Sequence, residues 1–558
     1  MQNKAASVLL ILTLAVALPP AAAQAPGTEM TPGAQSSFSV PLFPSPNYFK
    51  EVFRRPAQYR LEAPGSIHDL VIDGKLTLSV NDVVRLVVQR NTNVWLARLD
   101  VQGSEPAVQK AMAVFDPRFV GSFTTRRAVT PTSTELEASS SLAQQAQFRY
   151  EQQFATGTAY SFAINGSKNA NNNRFVFLNP AIGSNMAISI SQPLLRGRGM
   201  LVQRSPIIIA GINRQISRGR FEEQLHQTLQ TAMDQYWNVV QARENLKVLQ
   251  ESLALAEKSY ARDKRALELG ALPPLDIFRS EAEVATRKVA VTTAQYQLRQ
   301  QEDALRRLIS ADLDPAVRDL PLELVDSPEP PVMLLDVDSS GAVERALRVR
   351  PELANLRRRQ TIDEINIRTA ANSLKPDLRL TGNYLSSGLG GNFFEEGVQF
   401  RGGLSDALRQ VFDFDSPTYG FGLFLTLPLR NREAQADLAT AQIQHRKDLF
   451  EERQAQQQVT LEVRNAINEL ERSKANIVAA TAARDLARKT QEAEQRKYEL
   501  GASTIFFVLE AQQRASDAEQ QLLAARIAYR KAVISVHRAT GALLDENQVV
   551  LNDALAVK

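Results

Sequence analysis

The sequence predicts an α+β membrane protein written as an internal tandem repeat, with long coiled-coil hairpins of helix joined to a small set of barrel-type β-strands. Three observations carry this. The phrase ELGALPPLD at 268–276 returns as ELGASTIFF at 499–507, each time between two long helix-forming runs. The same order of helix, strand region, long helix, turn and helix surrounds each copy, and such duplicated order organises a chain more strongly than any single motif. Beyond the N-terminus no stretch of about 18 apolar residues occurs, so no transmembrane helix is available and a membrane section has to be made of strands.

The elements follow in order. MQNKAASVLLILTLAVALPPAAAQA combines Lys4, an apolar run from Val8 to Leu18 and small residues Ala21 to Ala23. This reads as a secretory signal over residues 1–23. Residues 24–75, rich in Pro and Ser, read as an extended arm with little core of its own. The first repeat, 76–313, opens with a helix from about Leu76 to Ala111 that ends near Pro117. Strands follow over about 117–193, and the pattern turns helical after Pro193. Residues 314–341 carry the Pro-rich linker DPAVRDLPLELVDSPEPPVMLLDVDSSG. The second repeat, 342–544, has a helix over about 341–371, strands over about 377–429 and a helical pattern after Pro428, leaving a tail at 545–558.

Helix lengths impose a geometric constraint. Leu201 to Leu269 and Asn431 to Leu500 each give an outgoing helix of about 70 residues, or roughly 105 Å at 1.5 Å per residue. The return helices, 275–309 and up to Ala539, are about half as long, so each long helix has to be lined by two shorter ones end to end. From Phe221 the positions at steps of 4 and 3 read Phe221, Leu225, Thr228, Ala232, Gln235, Val239, Ala242, Leu246, Leu249, Leu253, Ala256, Tyr260, Asp263 and Leu267. This is a heptad-like seam that tolerates polar breaks.

The strand segments alternate. Leu378, Leu380, Gly382 and Tyr384 oppose Arg379, Thr381 and Asn383. Tyr419, Phe421, Leu423, Leu425 and Leu427 oppose Gly420, Gly422, Phe424 and Thr426. Segments around 148–154, 160–165 and 186–190 alternate likewise, and one apolar face with one small or polar face is what a membrane barrel strand needs. At least two membrane strands per half, twelve per trimer, are expected, and the segments at 148–154 and 159–165 lengthen or add to them. So few strands cannot close alone, and an open edge in lipid leaves backbone groups unpaired at several kcal/mol each, so oligomerisation has to close the barrel.

Composition excludes other functions. There is no Cys among 558 residues, which removes disulfides, thiolate metal sites and Cys nucleophiles. With 65 basic and 61 acidic residues the formal charge is +4 and the signs alternate, giving no support for nucleic-acid binding. His68, His226, His445 and His537 show no metal-ligand spacing. No cofactor, metal or catalytic residue is expected, and the glycines of GLGG at 388–391 and GRG at 197–199 read as loop and strand-end residues.

In the helices around NTNVWLA and RPEL, in QPLLRGRG after a strand, and in the two ELGA turns, the chain from about Leu76 to Leu544 resembles the TolC-type outer membrane efflux protein family. The resemblance implies a homotrimer in the cell outer membrane: a shared β-barrel in lipid, continued by a long periplasmic α-helical barrel with an equatorial band. It implies a periplasmic adaptor protein and an inner-membrane transporter of the RND, ABC or MFS type as partners. The turns would then be the periplasmic tips, with Leu269, Gly270, Ala271, Leu500, Gly501 and Ala502 as adaptor contacts.

The same resemblance carries over a periplasmic gate at Asp276, Tyr498, Phe507 and Glu510, with Tyr498 donating to Asp276. Ser503 stands where the family places an Arg and Phe507 where it places an Asp, so the Asp–Arg link is absent. Two readings of Phe507 follow: burial between helices at the tip, or an apolar constriction beside a ring of Glu510. The expected function is a passive export duct for small molecules. The alternatives are the outlet of a type I protein secretion system and a non-membrane coiled-coil scaffold.

Overall fold

A computed structural model describes residues 67 and 70–556, apart from 68–69, 132–133, 135–136, 174, 270–273, 312–313, 316, 332 and 396–397. The expected signal segment and most of the expected arm lie outside the described residues, as do Gly270 and Ala271. The end of the arm is not extended chain without a core. Val71–Ile72 (β1) and Lys75–Leu78 (β2) form an antiparallel pair, and Ile67, Leu76 and Leu78 are fully buried.

The helix expected from Leu76 begins only at Val80 and is broken once. Val80–Arg90 (α1) is closed off by Ser79, whose side chain accepts from the Asp82 amide while Asp82 accepts from the Ser79 amide. That reciprocal capping box satisfies two otherwise orphaned donors. Leu76 and Leu78 are instead held in extended form by parallel pairing with the later strand Leu322–Leu324. At Asn91 the chain leaves the helix, and the Asn91 side chain caps Thr92–Met112 (α2) by accepting from the amides of Asn93 and Val94.

Arg118–Val129 (β3), Ser140–Gln153 (β4), Ala159–Asn171 (β5) and Ala181–Pro193 (β6) form an antiparallel meander. The first half therefore supplies four long strands, with 148–154 and 159–165 in two different ones. Met200–Glu268 (α3) and Pro274–Leu308 (α4) form the first helical hairpin, 69 and 35 residues long. Leu322–Leu324 (β7) completes a three-stranded sheet with β1 and β2. The helix expected over 341–371 is two, Ser339–Val349 (α5) and Pro351–Ser373 (α6), because Pro351 supplies no amide and fits the first turn of a new helix.

Asp377–Glu395 (β8) and Val398–Arg401 (β9) pair with each other, Leu404–Phe412 (α7) follows, and Pro417–Thr426 (β10) returns along β8. The order across the main sheet is β10-β8-β6-β5-β4-β3, with β9 beside β8. Residues 388–391 are strand, not loop. A Cβ on Gly390 would come within 2.6 Å of the Gly403 carbonyl oxygen, and one on Gly388 would strike the Ala407 carbonyl oxygen. These positions lack side chains because the α7 backbone lies on them, and Gln410 of α7 bonds both the amide and the carbonyl of Leu389.

Arg432–Glu499 (α8) and Ile505–Ala539 (α9) form the second hairpin, 68 and 35 residues long. Leu543–Glu546 (α10) and Leu551–Ala556 (α11) follow, and the buried Arg98 of α2 donates to the Ala554 carbonyl. One apolar core joins Phe221, Leu225 and Leu229 of α3 to Val83 and Val87 of α1, Leu305 of α4 and Leu523 and Ile527 of α9. A second joins Leu353 and Leu356 of α6 to Val459, Val463 and Leu470 of α8 and Tyr529 and Val536 of α9. Helix α9 thus belongs to both cores.

Candidate functional site

The turn after α8 is built as its sequence requires. Gly501 has φ +75°, its amide bonds the Tyr498 carbonyl at 3.0 Å, and the Ala502 amide bonds the Lys497 carbonyl at 2.8 Å. These are the two bonds of a Schellman closure, in which the left-handed residue is a glycine because a Cβ there is strained. The turn is also secured from the side: Ser503 donates to Glu494 at 3.0 Å, and Lys497 lies 2.6 Å from the same carboxylate. The Lys497 contact and then the Ser503 bond hold Glu494 below the usual carboxylate range. Leu269 and Leu500 project at 83% and 84% exposure, so both turns present an apolar tip side chain to the surroundings.

Behind this turn the two hairpins are tied together. Asp263 of α3 is fully buried and accepts from Ser280 of α4 at 2.6 Å and from the Tyr498 hydroxyl of α8 at 3.3 Å. Arg262 lies 3.2 Å from Asp263 and spreads its guanidinium 4.6 Å from the Tyr498 ring centroid. A buried carboxylate is tolerated only with such partners, since an unpaired one is strongly disfavoured. Burial first, then the Asp263 charge, pushes the Tyr498 phenol above its ordinary pKa, so it stays a donor. Nearer the middle of the hairpins Gln512 of α9 donates to Ser259 of α3 at 3.5 Å, a second link of the same kind.

The residues expected at the gate are placed as follows. Tyr498 bonds Asp263 and not Asp276, because Asp276 sits in the first turn of α4 facing Arg279 of its own helix, 3.8 Å away. Phe507 is half exposed and meets Phe506 edge-on at 5.4 Å between ring centroids, so within one protomer it is not buried between helices. Glu510 pairs with Arg514 one turn on, at 2.6 Å. Asp263, Ser280 and Arg262 were missed as site residues. The available signal was Asp263 itself, a carboxylate at a seam position.

Across the sheet, antiparallel partners share a face. Phe119, Tyr150, Phe162, Ile188, Tyr384 and Tyr419 fall in one row on one face. The next row, on the other face, reads Arg118, Glu151, Ser161, Ser189, Asn383 and Gly420. Polar pairs cross strands on that second face, Ser161 with Ser189 and Asn165 with Asn185, each at 2.7 Å. The aromatic face is open at Phe119, 73% exposed, and Phe421, 91% exposed, while α7 covers it at Ser386, Gly388 and Gly390. One greasy and one polar face over strands of 10 to 19 residues suits lipid on one side and water on the other. No described helix is long and apolar enough to cross a membrane.

The chain is similar to known outer membrane proteins. The family model described as Outer membrane efflux protein matches residues 342–542. The outer membrane protein TolC of Vibrio cholerae is 24% identical over 322 residues, which is 58% of this chain and 69% of that protein. Among solved structures, the CmeC outer membrane channel of Campylobacter jejuni superposes with a TM-score of 0.62 at 17% identity, covering 90% of this chain and 98% of that one. The outer membrane protein VceC of Vibrio cholerae gives 0.58 at 13% identity, covering 83% and 96%. The MtrE outer membrane channel of Neisseria gonorrhoeae in its open state gives 0.54 at 17% identity, covering 83% and 89%.

Proposed function

We infer that this chain, whose residues 342–542 match the family model described as Outer membrane efflux protein, is the outer membrane channel of a tripartite efflux system. It stands in the cell outer membrane with a long periplasmic helical portion. Three copies form a passive duct that carries small molecules from an inner-membrane pump to the exterior, and a periplasmic adaptor grips the tips. The observation that supports this best is the two-faced sheet: its aromatic face needs lipid and its edges need further strands, while the hairpins that leave it are about 100 Å long at 1.5 Å per residue.

The duct stays shut at the tips by contacts within each protomer. The Asp263 node holds the second hairpin against the first, and Phe507, half exposed beside Phe506, supplies an apolar constriction where three copies converge. Glu510 lends a preference for cations, moderated by Arg514. Energy comes from the partner pump, so the duct itself needs no cofactor. The reading is tested by purification from outer membranes followed by crosslinking from Ala502: a heat-modifiable trimer that captures a periplasmic adaptor supports it. A β-rich monomer in detergent, or a trimer in which Ala502 captures nothing from a cell making the adaptor, overturns it.

A further inference from the structure

Helix α7 stands where a lipid-facing sheet needs no cover. Small residues of β8 make room for it: Ser386 is fully buried and donates to the Val411 carbonyl at 2.7 Å, and Gly388 and Gly390 admit the carbonyls of Ala407 and Gly403. Leu404 comes within 3.7 Å of the position a Cβ would take on Gly166 of β5. Gly166, Ser386, Gly388 and Gly390 share a face with Tyr384 and Phe421, so the helix lies on the aromatic side. Lipid alone would cover that side, so what α7 adds has to come from its outward surface.

Counting rows fixes its height. From the lowest paired apolar row, Leu378 with Leu425, it is eight residues along β8 to Ser386 and twelve to Gly390. At about 3.3 Å per residue and a strand tilt of about 40°, these stand roughly 20 Å and roughly 30 Å above that row. The apolar band of a membrane barrel is about 25 Å tall, so α7 straddles its boundary on the side away from the long helices. Val411 and Phe412 lie below that boundary, and Gly403 and Leu404 lie above it.

The outward surface of α7 is divided to match. At helical spacing Leu404, Leu408 and Phe412 form an apolar stripe next to the buried Ala407 and Val411, with Leu404 49% and Phe412 54% exposed. Ser405 and Arg409 form the adjoining polar stripe. Two more basic side chains flank the helix on the same face: Lys168 stands in the row of Gly390, and Arg401 pairs with Asn392 one row beyond. Lys168, Arg401 and Arg409 are exposed, and none has a carboxylate partner among the described residues. Of the nearby acids, Asp406 accepts from the Gly403 amide at 2.7 Å, and Asp413 and Asp415 follow the opposite end of the helix.

We propose that α7 is an interfacial anchor: its apolar stripe enters the acyl region of the outer leaflet, while Lys168, Arg401 and Arg409 bind the phosphate groups of a lipid headgroup. A helix with one apolar and one basic side takes this position at a membrane surface. Guanidinium forks match phosphate oxygens in pairs, and the ammonium adds a point charge. The proposal rests on the reading of the aromatic face as lipid-facing.

The chain has no cysteine, so single introduced thiols report alone. Full-length protein carrying Phe412→Cys or Phe421→Cys is labelled with a small fluorophore and reconstituted in phosphatidylcholine vesicles, where brominated acyl chains or aqueous iodide serve as quencher. Brominated lipid should quench both labels. If it quenches Phe421→Cys and not Phe412→Cys, α7 does not face lipid and the proposal is overturned while the membrane reading stands. If it quenches neither, the lipid-facing sheet itself is lost.

A second arm reads the headgroup. Unlabelled protein is incubated in detergent with diphosphorylated lipid A or with its dephosphorylated form, and bound lipid is counted by native mass spectrometry with and without excess inorganic phosphate. The wild type should retain several-fold more of the phosphorylated lipid, and inorganic phosphate should not displace it. The triple variant Lys168→Gln, Arg401→Gln, Arg409→Gln should lose most of that lipid while keeping heat-modifiable mobility. Equal retention of the two lipids by the wild type, or of the phosphorylated lipid by the triple variant, overturns the headgroup assignment. Displacement by inorganic phosphate overturns it too, since the site then takes a free anion.

Discussion

The Tyr498 hydroxyl donates to Asp263 across 3.3 Å and a sequence separation of 235 residues, joining the second helical hairpin to a fully buried carboxylate of the first. In the proposed duct, changes at this tie should act on closure before they act on the fold.

Tyr498→Phe removes one hydroxyl bond to a charged acceptor, about 1.5–3 kcal/mol, and leaves the ring under Arg262. Single-channel conductance in planar bilayers should rise several-fold. Asp263→Asn should do the same, whereas Asp276→Ala, which lies 3.8 Å from Arg279 of its own helix and reaches Tyr498 through its charge and not through a hydrogen bond, should change conductance less. An Asp276→Ala channel that opens more than Tyr498→Phe would show that the functional tie lies between copies and not at Asp263.

Phe507→Ala should also raise conductance more than Asp276→Ala, because in the proposed trimer a half-exposed aromatic of the tip constriction is lost. Glu510→Gln should lower cation selectivity, read from reversal potentials in a salt gradient, with little change in conductance. Wild-type conductance in Phe507→Ala would make that ring ordinary packing against Phe506 or a neighbouring copy.

Gly501→Val places a β-branched side chain at φ +75° with nothing within 4 Å of the new Cβ, so the cost is backbone strain alone, about 1 kcal/mol or more. Trimer assembly in detergent should be unchanged and capture of the periplasmic adaptor reduced. Equal capture by the variant would argue against this turn as the docking point.

The helices and their turn were legible because a seam at steps of 4 and 3 and a repeated ELGA phrase are local signals. The four boundaries of the two outgoing helices fall within a residue or so of those expected. The strands were only half legible. β3 lay inside the expected strand region of about 117–193 but showed no clear alternation, because Val120 sits on its polar face and Gly121 on its apolar one. Gly388 and Gly390 read as loop because what makes them glycine, the carbonyls of α7, comes from residues 403 and 407. Asp263 showed only as an imperfection in a seam, since its partner Tyr498 lies in the other repeat.

Stability should vary with pH through a carboxyl pair between α6 and α8. Asp363 and Asp448 are both buried, with His445 3.9 Å from Asp363 and Gln444 bonded to Asp448 at 2.7 Å. Burial first, then the Asp448 charge, pushes Asp363 up to about 6, while Arg359 and His445 act in the opposite sense. A carboxyl with a raised folded pKa favours the fold while protonated, fully below about pH 4, and loses that contribution as pH rises through about 6. The thermal midpoint should therefore be lower at pH 8 than at pH 5 by this contribution, and Asp363→Asn, which keeps the neutral form, should flatten the difference. An equal pH dependence in the variant would place the titrating group elsewhere.

The duct itself is tested most directly by single-channel recording from the purified trimer in a planar bilayer, with no adaptor, pump or nucleotide present. The account predicts ohmic steps that are small in the wild type and several-fold larger when Tyr498→Phe and Phe507→Ala are combined. A folded, heat-modifiable double variant that gives no steps, or steps no larger than the wild type, would contradict a passive channel closed at its helical tips.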